Sequence, residues 1–259
     1  MKKESKVKTL KVNVIEHEPE NITAKVKVTK QEPERIQLNI TKKSRGLTEE
    51  HRLRVERATL TIFTGYNEID QPKNDEKSFG RGVVVPGEYI LTAGHCVAYN
   101  LEGSMVLGDY YWEKIKTEDQ ELLASPVAVE PLIDIAALGE PDGQDENGID
   151  FMCWYEEMEP VPVCFDRYDR NSEFVVYIFN HKKEWIKGMA EVFDPNGKFL
   201  WIKFEKPIKG GTSGSPVVNE RGELVGIISS GTDDGRVPRP CRALPVWLCD
   251  EINETQKNI

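Results

Sequence analysis

The sequence predicts an all-β protein. Three observations lead there: a series of short strand-like runs, clusters of Gly, Pro, Asn and Asp between them, and no alternation with long amphipathic helices. The third observation excludes a doubly wound α/β sheet and leaves an all-β barrel or sandwich. The runs are ATLTIF (58–63), GVVV (82–85), EYILTA (88–93), PVAVEPL (126–132), FVVYIF (174–179), FLWIKF (199–204), SPVVN (215–219) and ELVGIIS (223–229). Turn sequences such as PNG (195–197) and ERG (220–222) separate them. The acidic, glycine-punctuated stretch 139–150 is expected to join two β halves, and PVWLCDEIN (245–253) to form a short C-terminal helix.

Residues 1–45 read as a separate extension. KVNVIEHEPENI (11–22) and KVKVTKQEPERI (25–36) match at seven of twelve positions with an offset of 14. Each copy is an alternating run followed by Glu-Pro-Glu, and the proline, having no N–H to donate, ends the strand. Val12 and Val14, then Val26 and Val28, then Ile36, Leu38 and Ile40 would supply three strand faces of a small meander. Few large apolar groups are available to bury, so a solvated tail remains open beside the meander. GLTEEHRLRVE (46–56) reads as a helix linking this extension to the body within residues 46–57. Thr48 is its N-cap, and Glu49 and Glu50 suit the positive end of its dipole.

The 259 residues suffice for one large domain or two small ones. Net charge is −10, unevenly spread: residues 1–57 hold 15 basic and 9 acidic side chains, a charge of +6, and residues 58–259 carry −16. A body this acidic is not expected to bind nucleic acid. The basic arm suits an acidic regulatory partner met through residues 1–57, or the acidic body of its own chain. No apolar run reaches eighteen residues, and no apolar stretch follows the first lysines, so neither a membrane span nor a secretory signal is expected. The five cysteines (Cys96, Cys153, Cys164, Cys241, Cys249) are scattered with no CxxC pair. We therefore expect reduced thiols in a cytoplasmic protein, with no metal and no cofactor.

Three short stretches carry chemistry. LTAGHCV (91–97) sets His95 at the end of a strand, among small residues that allow a tight turn. PLIDIAAL (131–138) sets Asp134 in an apolar run, where a carboxylate needs a partner to offset its desolvation. GGTSGSPVV (210–218) packs glycines around Ser213 and then stops at Pro216. Its glycines permit unusual dihedrals and let a substrate carbonyl come close. Taken singly, each stretch has an ordinary structural reading: an exposed histidine, a strand-end aspartate, a Gly/Ser turn.

The order His, Asp, Ser on a β-rich chain resembles the chymotrypsin-like (trypsin-like) serine protease family over roughly residues 58–250. TAGHC (92–96), DIAAL (134–138) and GTSGSP (211–216) look like its histidine, aspartate and serine motifs, and ELVGIIS like the strand after the nucleophile. The resemblance implies two six-stranded antiparallel barrels, about 58–145 and 150–245, within a domain spanning 58–259. It also implies a serine endopeptidase acting on a protein or peptide substrate. Ser213 would be the nucleophile, His95 the general base and Asp134 its orienting carboxylate. The Gly211 and Ser213 amides would form the oxyanion hole, and Ser229, Ser230 and Gly231 the edge that pairs with substrate. Ser215 competes as nucleophile but stands two residues late for the motif.

Departures from the family matter. Thr212 stands where secreted members carry the aspartate that pairs with a newly cut N-terminus. No cysteine precedes Cys96 to bridge it. The pattern is closest to the intracellular bacterial or viral branch. Pro207, six residues before Ser213, is not the acid of a trypsin-type pocket. Asp233 and Asp234 follow the substrate edge, and Cys241 is a candidate for the pocket wall. With no zymogen device, control by a partner or by narrow specificity is expected. The alternatives are a binding module on the same fold, working through the N-terminal repeat, and an esterase-like hydrolase.

Overall fold

The computed structural model of the protein describes residues 9–11, 23–25, 46–66, 78–97, 112–116, 120–141, 146–229 and 235–258. The chain divides into two compact units, Met1–Ser44 and Arg45–Ile259. In the first, β1 (Thr9–Lys11) pairs antiparallel with β2 (Thr23–Lys25), Thr9 opposite Lys25. The two strands occupy equivalent positions in the 14-residue repeat. Val12, Val14, Val26, Val28 and the expected third strand lie outside the described residues.

The second unit opens with α1 (Glu49–Arg57), where the Thr48 hydroxyl accepts the His51 N–H and so satisfies one of the first-turn donors. Val55 on its inner face is fully buried. Six strands follow: β3 (Thr59–Tyr66), β4 (Ser78–Val85), β5 (Tyr89–Thr92), β6 (Trp112–Lys116), β7 (Glu121–Glu130) and β8 (Ile135–Gly139). They close into an antiparallel barrel in the order β3-β4-β5-β8-β7-β6. After α2 (Glu146–Glu156) come β9 (Glu173–Phe179), β10 (Trp185–Glu191), β11 (Phe199–Phe204), β12 (Pro216–Asn219), β13 (Leu224–Ile227) and β14 (Arg236–Pro238). These form a six-stranded antiparallel sheet in the order β13-β12-β9-β10-β11-β14. Its ends approach one another, Gly226 of β13 packing against Val237 of β14, so the second barrel is nearly closed. The chain ends with α3 (Pro240–Ala243) and α4 (Val246–Gln256).

Alternation tells the outer walls from the seam. In β10, Ile186 and Ala190 are buried while Lys187 and Met189 are exposed, as expected of a strand with one wet face. β8, β12 and β13 are buried at every position. Packing continues through them: Phe179, Val218, Leu224 and Ile227 of the second barrel join the core that fills the first. Each such apolar residue contributes about 1.5–3 kcal/mol by leaving water.

The architecture is the expected one, and the differences lie in elements with weak patterns. WEKIK (β6), WIKGMAE (β10) and RVP (β14) are short or interrupted by Lys and Gly, and their sequences carry no clear strand pattern. The stretch 139–150, expected as a joint, already contains the start of α2, which buries Phe151 and Trp154 three residues apart. No two of the five cysteines are joined in a disulfide. Among the described residues, no helix is long and apolar enough to cross a membrane.

Candidate active site

Strand β5 ends at Thr92, and a single 3-10 turn, Gly94–Cys96, carries His95 out of the barrel wall. Asp134 is delivered from the other side by the turn that leads into β8. Its backbone adopts φ +62°, a left-handed conformation that aspartate tolerates better than most residues. The two are joined twice. The His95 backbone N–H donates to Asp134 Oδ1 at 2.8 Å, and the ring Nδ1 lies 2.8 Å from Oδ2 and 3.1 Å from Oδ1. An ionised carboxylate only accepts, so Nδ1 carries a proton, and in the neutral ring the lone pair is on Nε2.

A third group completes this side. Ser229, just after β13, donates its hydroxyl to Asp134 Oδ2 at 2.5 Å, a contact from the second barrel to the first. Partial burial alone would raise the Asp134 pKa. The hydrogen bonds from His95 and Ser229 outweigh it and hold the carboxyl below its ordinary value. The bond to Asp134, followed by one to the Cys96 sulfur, raises the His95 pKa above that of a free imidazole.

Ser213 lies on the turn between β11 and β12, and main-chain groups fix it. Its carbonyl accepts the Arg81 N–H from β4 at 2.8 Å, and the Gly214 N–H reaches the Ile228 carbonyl at 2.6 Å. The Ser215 N–H closes the turn on the Thr212 carbonyl at 3.0 Å. Gly214, at φ +80°, is required twice over. A Cβ there would stand 1.7 Å from the Arg81 carbonyl oxygen and 2.7 Å from Thr92 Oγ1. That contact seats the serine turn on the barrel wall that carries His95. Gly211 adopts φ +85°, and among the described residues neither its N–H nor that of Ser213 is taken by an acceptor. Ser215 is fully buried, which removes it as a nucleophile reachable by substrate.

The structure therefore joins His95, Asp134 and Ser229 directly and sets Ser213 and Gly211 on the adjoining turn. Ser230 and Gly231, with Asp233 and Asp234, lie outside the described residues. Pro207 is exposed ahead of the serine turn. Cys241, the candidate for the pocket wall, lies within α3, where burial first, offset in part by Arg239 and Arg242, raises its thiol pKa.

Three features escaped the sequence reading. Ser229, expected to offer its backbone to substrate, uses its side chain to bind Asp134. Arg81 is almost wholly buried, and its guanidinium donates to the carbonyls of Phe179, at 3.0 Å, and Asn180 while stacking over the Phe179 ring. Burial lowers its pKa to about 10. His181, directly after β9, meets Thr212 through Nδ1 at 3.1 Å from Oγ1. Like His95, it stands just beyond a strand end, the one signal in the sequence that could have marked it.

The ligand-type cluster Cys164, Asp166 and Glu223 already holds a cation, because Arg221 donates to both carboxylates.

A family model described as a trypsin-like peptidase domain matches residues 80–227. Among solved structures, the chain is similar to the M. tuberculosis protease Rv3671c in its active form. Identity is 16%, over 81% of this chain and 83% of that one, with a TM-score of 0.46. It is also similar to the HtrA-type protease AlgW with a decapeptide, at 17% identity over 79% of this chain and 66% of that one, TM-score 0.45. A serine endoprotease from Yersinia pestis gives 18% identity over 80% of this chain and 65% of that one, TM-score 0.47. No curated protein sequence matches the chain.

Proposed function

This chain belongs to the trypsin-like peptidase domain family, and on that premise we propose that it is a serine endopeptidase working through Ser213, His95 and Asp134 by way of an acyl-enzyme. The observation that carries the reading is the His95–Asp134 pair, whose Nδ1–carboxylate bonds leave Nε2 as a base. Ser213 Oγ attacks the scissile carbonyl as its proton passes to His95 Nε2, and Asp134 stabilises the imidazolium that forms. The developing oxyanion accepts hydrogen bonds from the Gly211 and Ser213 amides, each contributing about 3–4 kcal/mol to the barrier reduction. Collapse breaks the C–N bond, and the amine leaves with the proton from His95. Water then attacks the ester on Ser213, giving its proton to His95, and the acid product departs as Ser213 recovers its hydrogen. The substrate backbone would pair with the edge at Ser229, Ser230 and Gly231 as an added strand.

Regulation belongs to the same proposal. Thr212 cannot make the ion pair by which a cut N-terminus switches on a zymogen. Restraint would come instead from narrow specificity or from a protein partner met through residues 1–57.

The test is labelling by a fluorophosphonate probe, with cleavage of a peptide library alongside. Wild type is expected to label on Ser213 and Ser213→Ala to stay unlabelled, with kcat lower by about 10⁶-fold. Wild type labelling no better than Ser213→Ala, with or without a partner, sinks the reading. Labelling only in a partner's presence selects the gated form.

A further inference from the structure

The turn that carries Ser213 is unevenly supported. Its second half is pinned by the Ser213 carbonyl, the Gly214 N–H and the Ser215 N–H. Its first half is not. Lys209, Gly210 and Gly211 are exposed, and a Cβ on Gly210 would meet nothing within 4 Å. The peptide entering Gly211 must nevertheless keep one orientation if its N–H is to face an oxyanion. Among the described residues, the side chain that hydrogen-bonds this first half is His181, through Nδ1 to the buried Thr212 hydroxyl at 3.1 Å. The same ring lies over Gly211, with Cγ 3.6 Å from where a Cβ would stand.

His181 is itself fixed. It sits in the β9–β10 turn, where Asn180 Oδ1 accepts the N–H groups of Lys182 at 2.9 Å and Glu184 at 3.0 Å. Arg81 holds the carbonyls of Phe179 and Asn180, immediately before His181, with its guanidinium. The Arg81 backbone N–H holds the Ser213 carbonyl. One buried residue of the first barrel thus fixes both the nucleophile and the hairpin that reaches over to Thr212.

We propose that His181 is a positioning residue for the oxyanion hole, holding Thr212 so that the Gly211 and Ser213 amides converge. This rests on the serine-peptidase reading above. In this chain a histidine–threonine hydrogen bond would do at the residue before the nucleophile what an ion pair does elsewhere, and do it without a cleavage.

The test uses the full chain, with steady-state kinetics on a peptide substrate found in the library, fluorophosphonate labelling rates and thermal melts. His181→Ala is expected to lower kcat by up to about 100-fold, with KM changed less than about threefold, because misplaced donors weaken the transition state and not the bound substrate. Inhibition by a peptide aldehyde, which forms the tetrahedral adduct, should weaken in proportion to kcat. Thr212→Val should cost the same, and the double variant no more than either single one, since both remove one contact. His181→Asn, whose side-chain amide reaches the position of Nδ1, should recover most of the loss even if His181→Ala melts early. The proposal is overturned if His181→Ala keeps kcat within about threefold, if the loss appears in KM alone, if the two losses multiply, or if His181→Asn is no better than His181→Ala. Failure of the underlying reading looks different: wild type itself then leaves the probe unreacted.

Discussion

The two halves of the site are held by different means. On the histidine side, side chains do the holding: Asp134 bonds the ring and backbone of His95, and Ser229 crosses from the second barrel to bond Asp134. On the serine side, the main chain does it, through the Ser213 carbonyl, the Gly214 and Ser215 amides and glycines at positive φ. Side-chain contacts set charge, and so decide when His95 can take a proton. Main-chain contacts set shape, and so decide where an oxyanion could be met. A change on the first side should therefore move pH dependence, and a change on the second should move stability or kcat with the pH profile in place.

The sharpest break on the charge side is Asp134→Asn. An amide cannot hold the Nδ1–H tautomer as the carboxylate does, and kcat should fall by about 10⁴-fold with the fold intact. The acid limb of kcat/KM should move with it. In wild type the bonded carboxylate raises the His95 pKa, so the limb lies above the ordinary imidazole value of about 6.5. The residual activity of the variant should show that limb at lower pH. Stability gives a second reading. A raised histidine pKa contributes stability that is full below the unfolded value and lost as pH rises through the folded one. A lowered aspartate pKa contributes stability that is lost as pH falls through the folded one. The stability difference between wild type and Asp134→Asn should therefore be greatest between about pH 4 and 6.5 in urea titrations and shrink on both sides.

On the shape side, Gly214→Ala is the counterpart. The added methyl meets the Arg81 carbonyl at 1.7 Å in a left-handed conformation. We expect a loss of about 3 kcal/mol or more, seen as a lower urea midpoint. Gly210→Ala, four residues earlier in open space, should change stability by less than about 1 kcal/mol. Equal effects at the two glycines would mean that the turn is not seated on β4 as described.

Ser229→Ala separates the halves more finely. It removes one hydrogen bond to a carboxylate, worth about 1.5–3 kcal/mol, and should lower kcat/KM about tenfold. Asp134, losing a stabilising donor, should titrate higher, and the stability supplied by the His95–Asp134 pair should fade at a higher pH on the acid side. A drop in kcat with no such movement would place Ser229 with the shape-setting groups instead.

The same division explains what the sequence disclosed. The main-chain-held half was legible because positive φ and close approach demand glycine at fixed spacing, and GGTSGSP displays both needs within seven residues. His95 and Asp134 were legible as a pair through their motifs, although the turn that places Asp134 at φ +62° read as an apolar run. Both barrels followed from strands with clear runs of β-branched and aromatic residues. β6, β10 and β14 did not, because Lys116 and Lys187 in the strands, an internal glycine and short length hide the alternation. Ser229, Arg81 and His181 were not legible as partners. Their contacts join residues 95, 98 and 31 positions apart, and nothing local in Ser, Arg or His announces a distant acceptor.

The smallest expected effect tests whether the hairpin that bears His181 is set from outside the barrels. Trp185, four residues after His181, donates its indole N–H to Glu56 of α1 at 2.7 Å, and Arg52 of the same helix lies 5.9 Å over the ring. Glu56→Gln keeps an acceptor of the same shape and removes its charge, so stability should fall by only about 0.5–1 kcal/mol. The turn at 180–184 has its own Asn180 contacts and the Arg81 clamp, all independent of α1. kcat should accordingly change by less than about twofold, and the labelling rate at Ser213 should hold. If Glu56→Gln instead cost as much kcat as His181→Ala, the serine turn would be shaped through α1. The main-chain half of the site would then answer to the segment that precedes the first barrel, and a partner acting there would have a direct mechanical route to the oxyanion hole.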